Sequence, residues 1–165
     1  MSVPTGVVIG VGTERGLGAA LCRRFAEEGY HILVAGRTIE KVAQVARTVC
    51  EKGGSAEPVV VDTTREKDVL AVFDRAMLPG DERDPADLVI FNAGNNQRID
   101  FRDLSAEQFE QFWRVGCFGA FWLAARRRVA WFRSVVGRLS SPVPPLVCEV
   151  SQVLRTSPPR KQACA

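Results

Sequence analysis

Apolar positions along the first 125 residues change period repeatedly, and each change marks a new element. Gly6–Gly10 is short, apolar and β-branched, which predicts a buried parallel strand. Gly16 to Glu28 carries helical spacing, with Leu17, Ala20, Leu21 and Phe25 on one face and Gly29 as the stop signal. His31–Ala35 is a second buried strand. Thr38 is placed to cap a helix running to about Glu51, and Gly53-Gly54 ends it. Glu57–Val61 reads as a third strand closed by Asp62. Glu66–Met77 is a helix with Val69, Val72, Phe73 and Ala76 facing inward, followed by a loop from Pro79 to Pro85. Leu88–Phe91 is a fourth strand. Ser105-Ala106-Glu107-Gln108 is a capping box that opens a long apolar helix. Strands separated by helices at this spacing predict an α/β fold with a parallel sheet and right-handed crossovers.

From Arg126 the pattern degrades. Val143-Pro144-Pro145-Leu146-Val147 is strand-like, but its prolines place it at a sheet edge. Thr156 to Lys161 reads as disordered. Charge changes at the same point. Residues 1–125 hold 14 Lys/Arg against 18 Asp/Glu, whereas residues 126–165 hold 8 Lys/Arg against the single acid Glu149. Five of the nine prolines also lie in that last stretch. Two regions are therefore expected: 1–125 as a partial α/β domain and 126–165 as a basic, proline-rich, poorly ordered tail.

Composition narrows the class. With 46% hydrophobic and 25% charged residues the chain reads as soluble and globular. No run of eighteen apolar residues exists, so no membrane partner is expected. The N-terminus lacks the basic region of a signal peptide. The five cysteines include no C-x-x-C pair, which argues against a zinc site or disulfide framework and favours the cytoplasm.

The chemistry starts in Val7-Val8-Ile9-Gly10-Val11-Gly12-Thr13-Glu14-Arg15-Gly16-Leu17-Gly18. A strand ends, a turn without β-carbons follows, and a helix begins whose free N–H groups suit a pyrophosphate. The spacing is Gly-x-x-x-Gly-x-Gly. Together with Asn92-Ala93-Gly94 after the fourth strand, it resembles the short-chain dehydrogenase/reductase family over residues 6 to about 125. Val11 stands where that family usually has threonine. The resemblance implies a Rossmann-like parallel sheet with flanking helices, incomplete at its C-terminal side. It also implies a nicotinamide dinucleotide held by Gly12, Thr13, Arg15, Gly16, Leu17, Gly18, Arg37, Asp62, Thr63, Asn92, Ala93 and Gly94. Asp62 matches the family's adenine-binding aspartate, with a helix cap or turn acid as the alternative. Asn92, Ala93 and Gly94 match the segment that stabilises the central sheet and passes the adenosine ribose.

Cofactor choice is set at the end of the second strand, where an acid would bind a ribose 2′-OH and repel a 2′-phosphate. Here Gly36 stands at that place, Arg37 follows, and Arg15 lies in the glycine turn. A guanidinium binds phosphate bidentately, so NADP(H) is preferred over NAD(H). Glu14 in the turn opposes that preference, and a solvated loop arginine is the other reading of Arg37.

The resemblance implies hydride transfer between the nicotinamide and a small alcohol or carbonyl. Its catalytic set is a tyrosine, a lysine four residues later, a serine and an asparagine. No Tyr-x-x-x-Lys occurs in the sequence, and the only tyrosine, Tyr30, precedes the second strand. Val115-Gly116-Cys117-Phe118-Gly119 resembles the family's Val-Asn-x-x-Gly, with Gly116 in place of asparagine. Ser151 has no matching surroundings. No catalytic residue is therefore assigned, and the chain reads as inactive on its own. The alternative is a dinucleotide-binding or partner-binding module without turnover.

The tail reads as the right DNA in a shifted register. With synonymous codons chosen freely, Arg126 onward spells A-A-R-R-M-V-P, Val136 onward spells G-T-L-L-F-T-G-A-T-A-S-L-R-G, and Thr156 onward spells F-A-A-A-K-A-G-L-R. These strings resemble the family's fifth strand and active-site helix, with phenylalanine at the tyrosine position and alanine at the serine position. A divergent or alternatively spliced tail is the other reading, and the gene sequence across the Arg126 codon separates them. Arg126-Arg127-Arg128 is read as a solvated helix end rather than a nucleic-acid contact. Without covering strands, Phe109, Phe112, Trp113, Phe118, Phe121 and Trp122 are expected to be partly uncovered, favouring self-association through the helix that starts near Ser105.

Overall fold

A computed structural model describes residues 3–78, 83–94, 97, 99–122 and a short strand at 147–149. The disorder expected at Thr156 to Lys161, the helix end expected at Arg126-Arg127-Arg128, Ser151 and part of the Pro79–Pro85 loop lie outside the described residues.

Five strands form one parallel sheet in the order β3-β2-β1-β4-β5. They are β1 (Thr5–Ile9), β2 (His31–Gly36), β3 (Ser55–Val60), β4 (Leu88–Phe91) and β5 (Val147–Glu149). Helices α1 (Leu17–Glu27), α2 (Ile39–Glu51) and α3 (Glu66–Met77) follow the first three strands, and α4 (Ala106–Trp113) follows the fourth. β1 pairs with β2 from Thr5↔His31 to Ile9↔Ala35, and with β4 from Gly6↔Leu88 to Ile9↔Phe91. β5 pairs with β4 at the sheet's other margin, from Val89↔Val147 to Phe91↔Glu149. Of the strand-like stretch 143–147, only Val147 is among the described residues, and it opens this edge strand.

Period-two alternation divides the core between the two faces. Val8, Ile32, Val34 and Ile90 pack with residues of α1 and α2 on one side. Val7, Ile9, Leu33, Ala35 and Val89 pack with Val69, Val72, Phe73 and Ala76 of α3 on the other. Burying each large aliphatic side chain of this kind contributes about 1.5–3 kcal/mol. The central strands are apolar apart from Thr5 and His31 at their starts, because both faces are covered. Among the described residues β3 has a neighbour on one side only, and its positions are exposed or half-buried, so it tolerates Pro58.

Two expectations need correction. The buried stripe of α1 is Gly18, Ala19, Cys22 and Ala26, not Leu17, Ala20, Leu21 and Phe25. Small side chains let α1 lie close to the sheet. Leu21 and Phe25 flank that contact half-buried, while Leu17 is 55% exposed and faces the cleft described below. Thr38 does occupy the N-cap of α2, but its side chain makes no capping bond. Ser105 does cap. Its hydroxyl accepts from the Gln108 amide at 3.2 Å, and the Gln108 side chain accepts from the Ser105 amide at 3.1 Å. Beyond Trp113 the helix widens into a π-helical stretch, Arg114–Phe118.

Candidate cofactor-binding cleft

Strand order reverses at β1, which has β2 on one side and β4 on the other. Chains leaving neighbouring strands there part to opposite faces, and a crevice opens at the carboxyl ends. In this chain the crevice is a cleft of about 960 Å³. The glycine turn, the ends of β2 and β4, and the chain just beyond α4 line it.

Backbone contact builds its floor. Gly10 has φ +90°, and a Cβ there would sit 2.3 Å from the Ala93 amide nitrogen. A Cβ on Gly36 would sit 2.3 Å from the Val11 carbonyl oxygen. Only glycine lets these strand ends close on each other. The amides of Gly10 and Val11 both donate to the Ala35 carbonyl at 2.9 Å. Asn92 ties β4 to the same turn: its amide donates to the Ile9 carbonyl at 2.8 Å and its Nδ2 to the Gly10 carbonyl at 3.2 Å. A Cβ on Gly12, by contrast, would meet nothing within 4 Å, so the turn offers open backbone toward the cleft. Gly16 is the N-cap of α1, whose first turn carries no acid. Unsatisfied amides and the positive end of the helix therefore point at a space free of carboxylates from that helix. A pyrophosphate fits this donor set.

Ten of the twelve expected positions line the cleft: Gly12, Thr13, Gly16, Leu17, Gly18, Arg37, Thr63, Asn92, Ala93 and Gly94. Arg15 is exposed and not among the lining residues. Asp62 sits between the lining residues Val61 and Thr63, but its carboxylate serves the turn into α3. Its Oδ1 accepts from the Thr64 amide at 3.0 Å and the Thr64 hydroxyl at 2.7 Å. Partial burial works to raise this carboxyl, but the two Thr64 bonds and the guanidinium groups of Arg65 and Arg37 outweigh it and hold it below its ordinary value.

Glu14, expected to repel a phosphate, accepts a hydrogen bond from the Thr48 hydroxyl on α2 at 3.0 Å and does not line the cleft. Lys41 does line it, in the first turn of α2 beside Arg37 and Thr38. Sequence reading missed Lys41, although its spacing from Arg37 was a readable signal: the two basic residues bracket a helix start. The wall beyond α4 was also missed. Val115, Gly116, Cys117, Ala120 and Phe121 form it. Gly116, at the asparagine position of the resembling motif, lines the cleft, and a Cβ added there would meet nothing within 4 Å. Gly119 packs tightly on Thr63, with a Cβ there meeting Thr63 Cβ at 3.0 Å, which brings this wall against the end of β3. Tyr30 is remote from all of this. It precedes the amino end of β2 and stacks edge-on with Phe25 at 6.0 Å.

The sequence profile of the short chain dehydrogenase family matches residues 6–138, and the chain belongs to that family. It is 33% identical over 120 residues to "Uncharacterized oxidoreductase YuxG" of Bacillus subtilis, covering 72% of this chain and 17% of that protein. It is 32% identical over 126 residues to 3beta-hydroxysteroid dehydrogenase 1 of Eggerthella lenta, covering 76% of this chain and 47% of that protein. The fold is similar to that of L-sorbose reductase from Gluconobacter frateurii complexed with NADPH and L-sorbose. The TM-score is 0.65 at 27% identity, covering 76% of this chain and 46% of the reductase. The chain thus spans less than half the length of these relatives.

Among the described residues, no helix is long and apolar enough to cross a membrane.

Proposed function

We propose that this chain binds a nicotinamide dinucleotide in the cleft, NADP(H) in preference to NAD(H). The observation that carries the preference is the pair Arg37 and Lys41 on the cleft wall, with Gly36 rather than an acid at the end of β2. Two cations beside a helix N-terminus attract a 2′-phosphate, and the acid that would oppose it is bonded to Thr48 instead. Gly12, Gly16 and Gly18 take the pyrophosphate, and Asn92, Ala93 and Gly94 pass the adenosine ribose. Arg15 and Asp62 serve at the rim, Asp62 toward the adenine. When bound, the dinucleotide supplies a transferable hydride.

Family chemistry is redox exchange between that hydride and an alcohol or carbonyl. The sequence contains no Tyr-x-x-x-Lys to deliver the matching proton, and Gly116 replaces the asparagine. The chain therefore acts as a dinucleotide-binding module with little or no turnover of its own. Residues 1–125 form the binding unit, and 126–165 a basic tail of shifted-register origin that adds the short edge strand β5 to the sheet. Exposed Phe109, Trp113 and Phe121 on and beyond α4 support self-association through that helix.

Calorimetric titration with NADPH and NADH, followed by an aldehyde and ketone panel, tests the reading. Tighter binding of NADPH without substrate-dependent oxidation is expected. No binding of either dinucleotide to folded protein overturns it, and steady turnover overturns the non-catalytic part alone.

A further inference from the structure

The only histidine of the chain lies at the other end of the sheet, where the strands begin. His31 is 6% exposed. Its Nδ1 is 2.7 Å from Ser55 Oγ, and its Nε2 is 2.7 Å from Arg83 Nη1. A guanidinium has only donors, so Nε2 must present a lone pair. The ring is therefore neutral, with its proton on Nδ1 and donated to Ser55. Glu57 completes the cluster. Its carboxylate is held in two bonds by Arg75, at 2.8 and 2.9 Å, and lies 3.9 Å from both His31 Nε2 and Arg83 Nη1.

We propose that His31 and Arg83 form a proton-operated latch on the segment that leads into β4. A proton from solvent adding to Nε2 removes the acceptor and sets two cations against each other. Arg83 is the partner with room to move, with a side chain 48% exposed, whereas the ring is fixed in the sheet. Arg83 therefore leaves, and the new Nε2–H is met by Glu57, 3.9 Å away and kept in place by Arg75. Burial first, and then the Arg83 charge, push the imidazole below its ordinary value, while Glu57 pulls the other way and Arg75 adds a smaller push downward. Among the described residues, Asp84 and Asp87 follow Arg83 on its own segment, and Tyr30, which senses the Asp87 charge, precedes His31.

Release has a structural reach. Arg83 bridges to Val3, the Asp84 amide donates to the Val3 carbonyl, and the Asp87 amide donates to the Thr5 carbonyl. Loss of the side-chain anchor loosens this row, which holds the start of β4 against the start of β1.

Because the full, untagged chain has one histidine, nitrogen-detected magnetic resonance reads the latch without assignment ambiguity. At neutral pH the Nδ1–H tautomer is expected. On acidification, amide exchange at Asp84 and Asp87, corrected for intrinsic rate, should rise over the pH range in which His31 titrates. In Arg83→Met the His31 midpoint moves upward, and the exchange is already fast at neutral pH. An Nε2–H tautomer, an unmoved midpoint in Arg83→Met, or flat exchange across the titration overturns the proposal. Should Arg83→Met fail to fold, the tautomer and exchange of the wild-type chain decide it.

Discussion

The two ends of this parallel sheet are built on different principles. At the carboxyl ends, shape comes from backbone meeting backbone: Gly10 against Ala93 and Gly36 against Val11, with Asn92 stitched to the Gly10 carbonyl. Charge there is sparse and faces the cleft through Arg37 and Lys41. At the amino ends, side chains do the joining, in a network of His31, Ser55, Glu57, Arg75 and Arg83. Close backbone contact leaves peptide N–H groups free to face an anion and is insensitive to pH. A side-chain network depends on where each proton sits. One sheet thus carries a backbone-built end and a titratable end.

The contrast breaks most visibly at Gly10. Gly10→Ala places a β-carbon into the Ala93 backbone at a positive φ, and should cost about 3 kcal/mol or more in urea unfolding. Dinucleotide binding should fall with it. Unchanged stability would mean that the carboxyl end is not backbone-limited. Next, Arg37→Ala combined with Lys41→Ala should weaken NADPH by about 2 kcal/mol, roughly thirtyfold, and leave NADH nearly unchanged by calorimetry. Equal losses for both dinucleotides would remove these cations from cofactor choice.

Acidification probes the other end. His31 is held below its ordinary value, so the folded state binds fewer protons than the unfolded state once pH drops. Its contribution is intact above about 6.5 and is lost as pH falls from there through the folded value. Glu57 is depressed chiefly by its hydrogen bonds from Arg75, against a burial effect that opposes it. Its contribution is present above 4.5 and is lost as pH falls through its own lowered value. Both act in the same direction, so the urea midpoint should fall in two stages, and Glu57→Gln should shrink the lower one, which Asp62 shares. The smallest effects separate two helix starts. Ser105→Ala should cost about 1 kcal/mol by thermal unfolding, because it removes a real capping bond. Thr38→Ala should change stability little, since that hydroxyl makes no such bond.

These differences follow how each feature is written in the chain. β1, β2, β4 and α3 were legible because long apolar periodicity and glycine stops leave few alternatives; α3 and β4 begin and end where expected. The inward face of α1 was not, because hydrophobicity favours Leu17 and Phe25 whereas close packing selects Gly18, Ala19 and Cys22. The glycine turn and Asn92 could be placed together at the carboxyl ends of the strands from their motif alone. The pull of Thr48 on Glu14 and the approach of the chain beyond α4 to the cleft arise from contacts between segments distant in sequence. Local pattern carries no record of such meetings. Asp62 differs: its bonds to Thr64 are local, and a turn acid at this position is readable from sequence.

The bond from Asn92 to Gly10 spans 82 positions. A nascent polypeptide has synthesised its glycine turn long before the amide that props it emerges. On the proposed function, grip on a nucleotide would therefore mature late in synthesis, after the fourth strand has docked, and cofactor retention would become a readout of completed assembly.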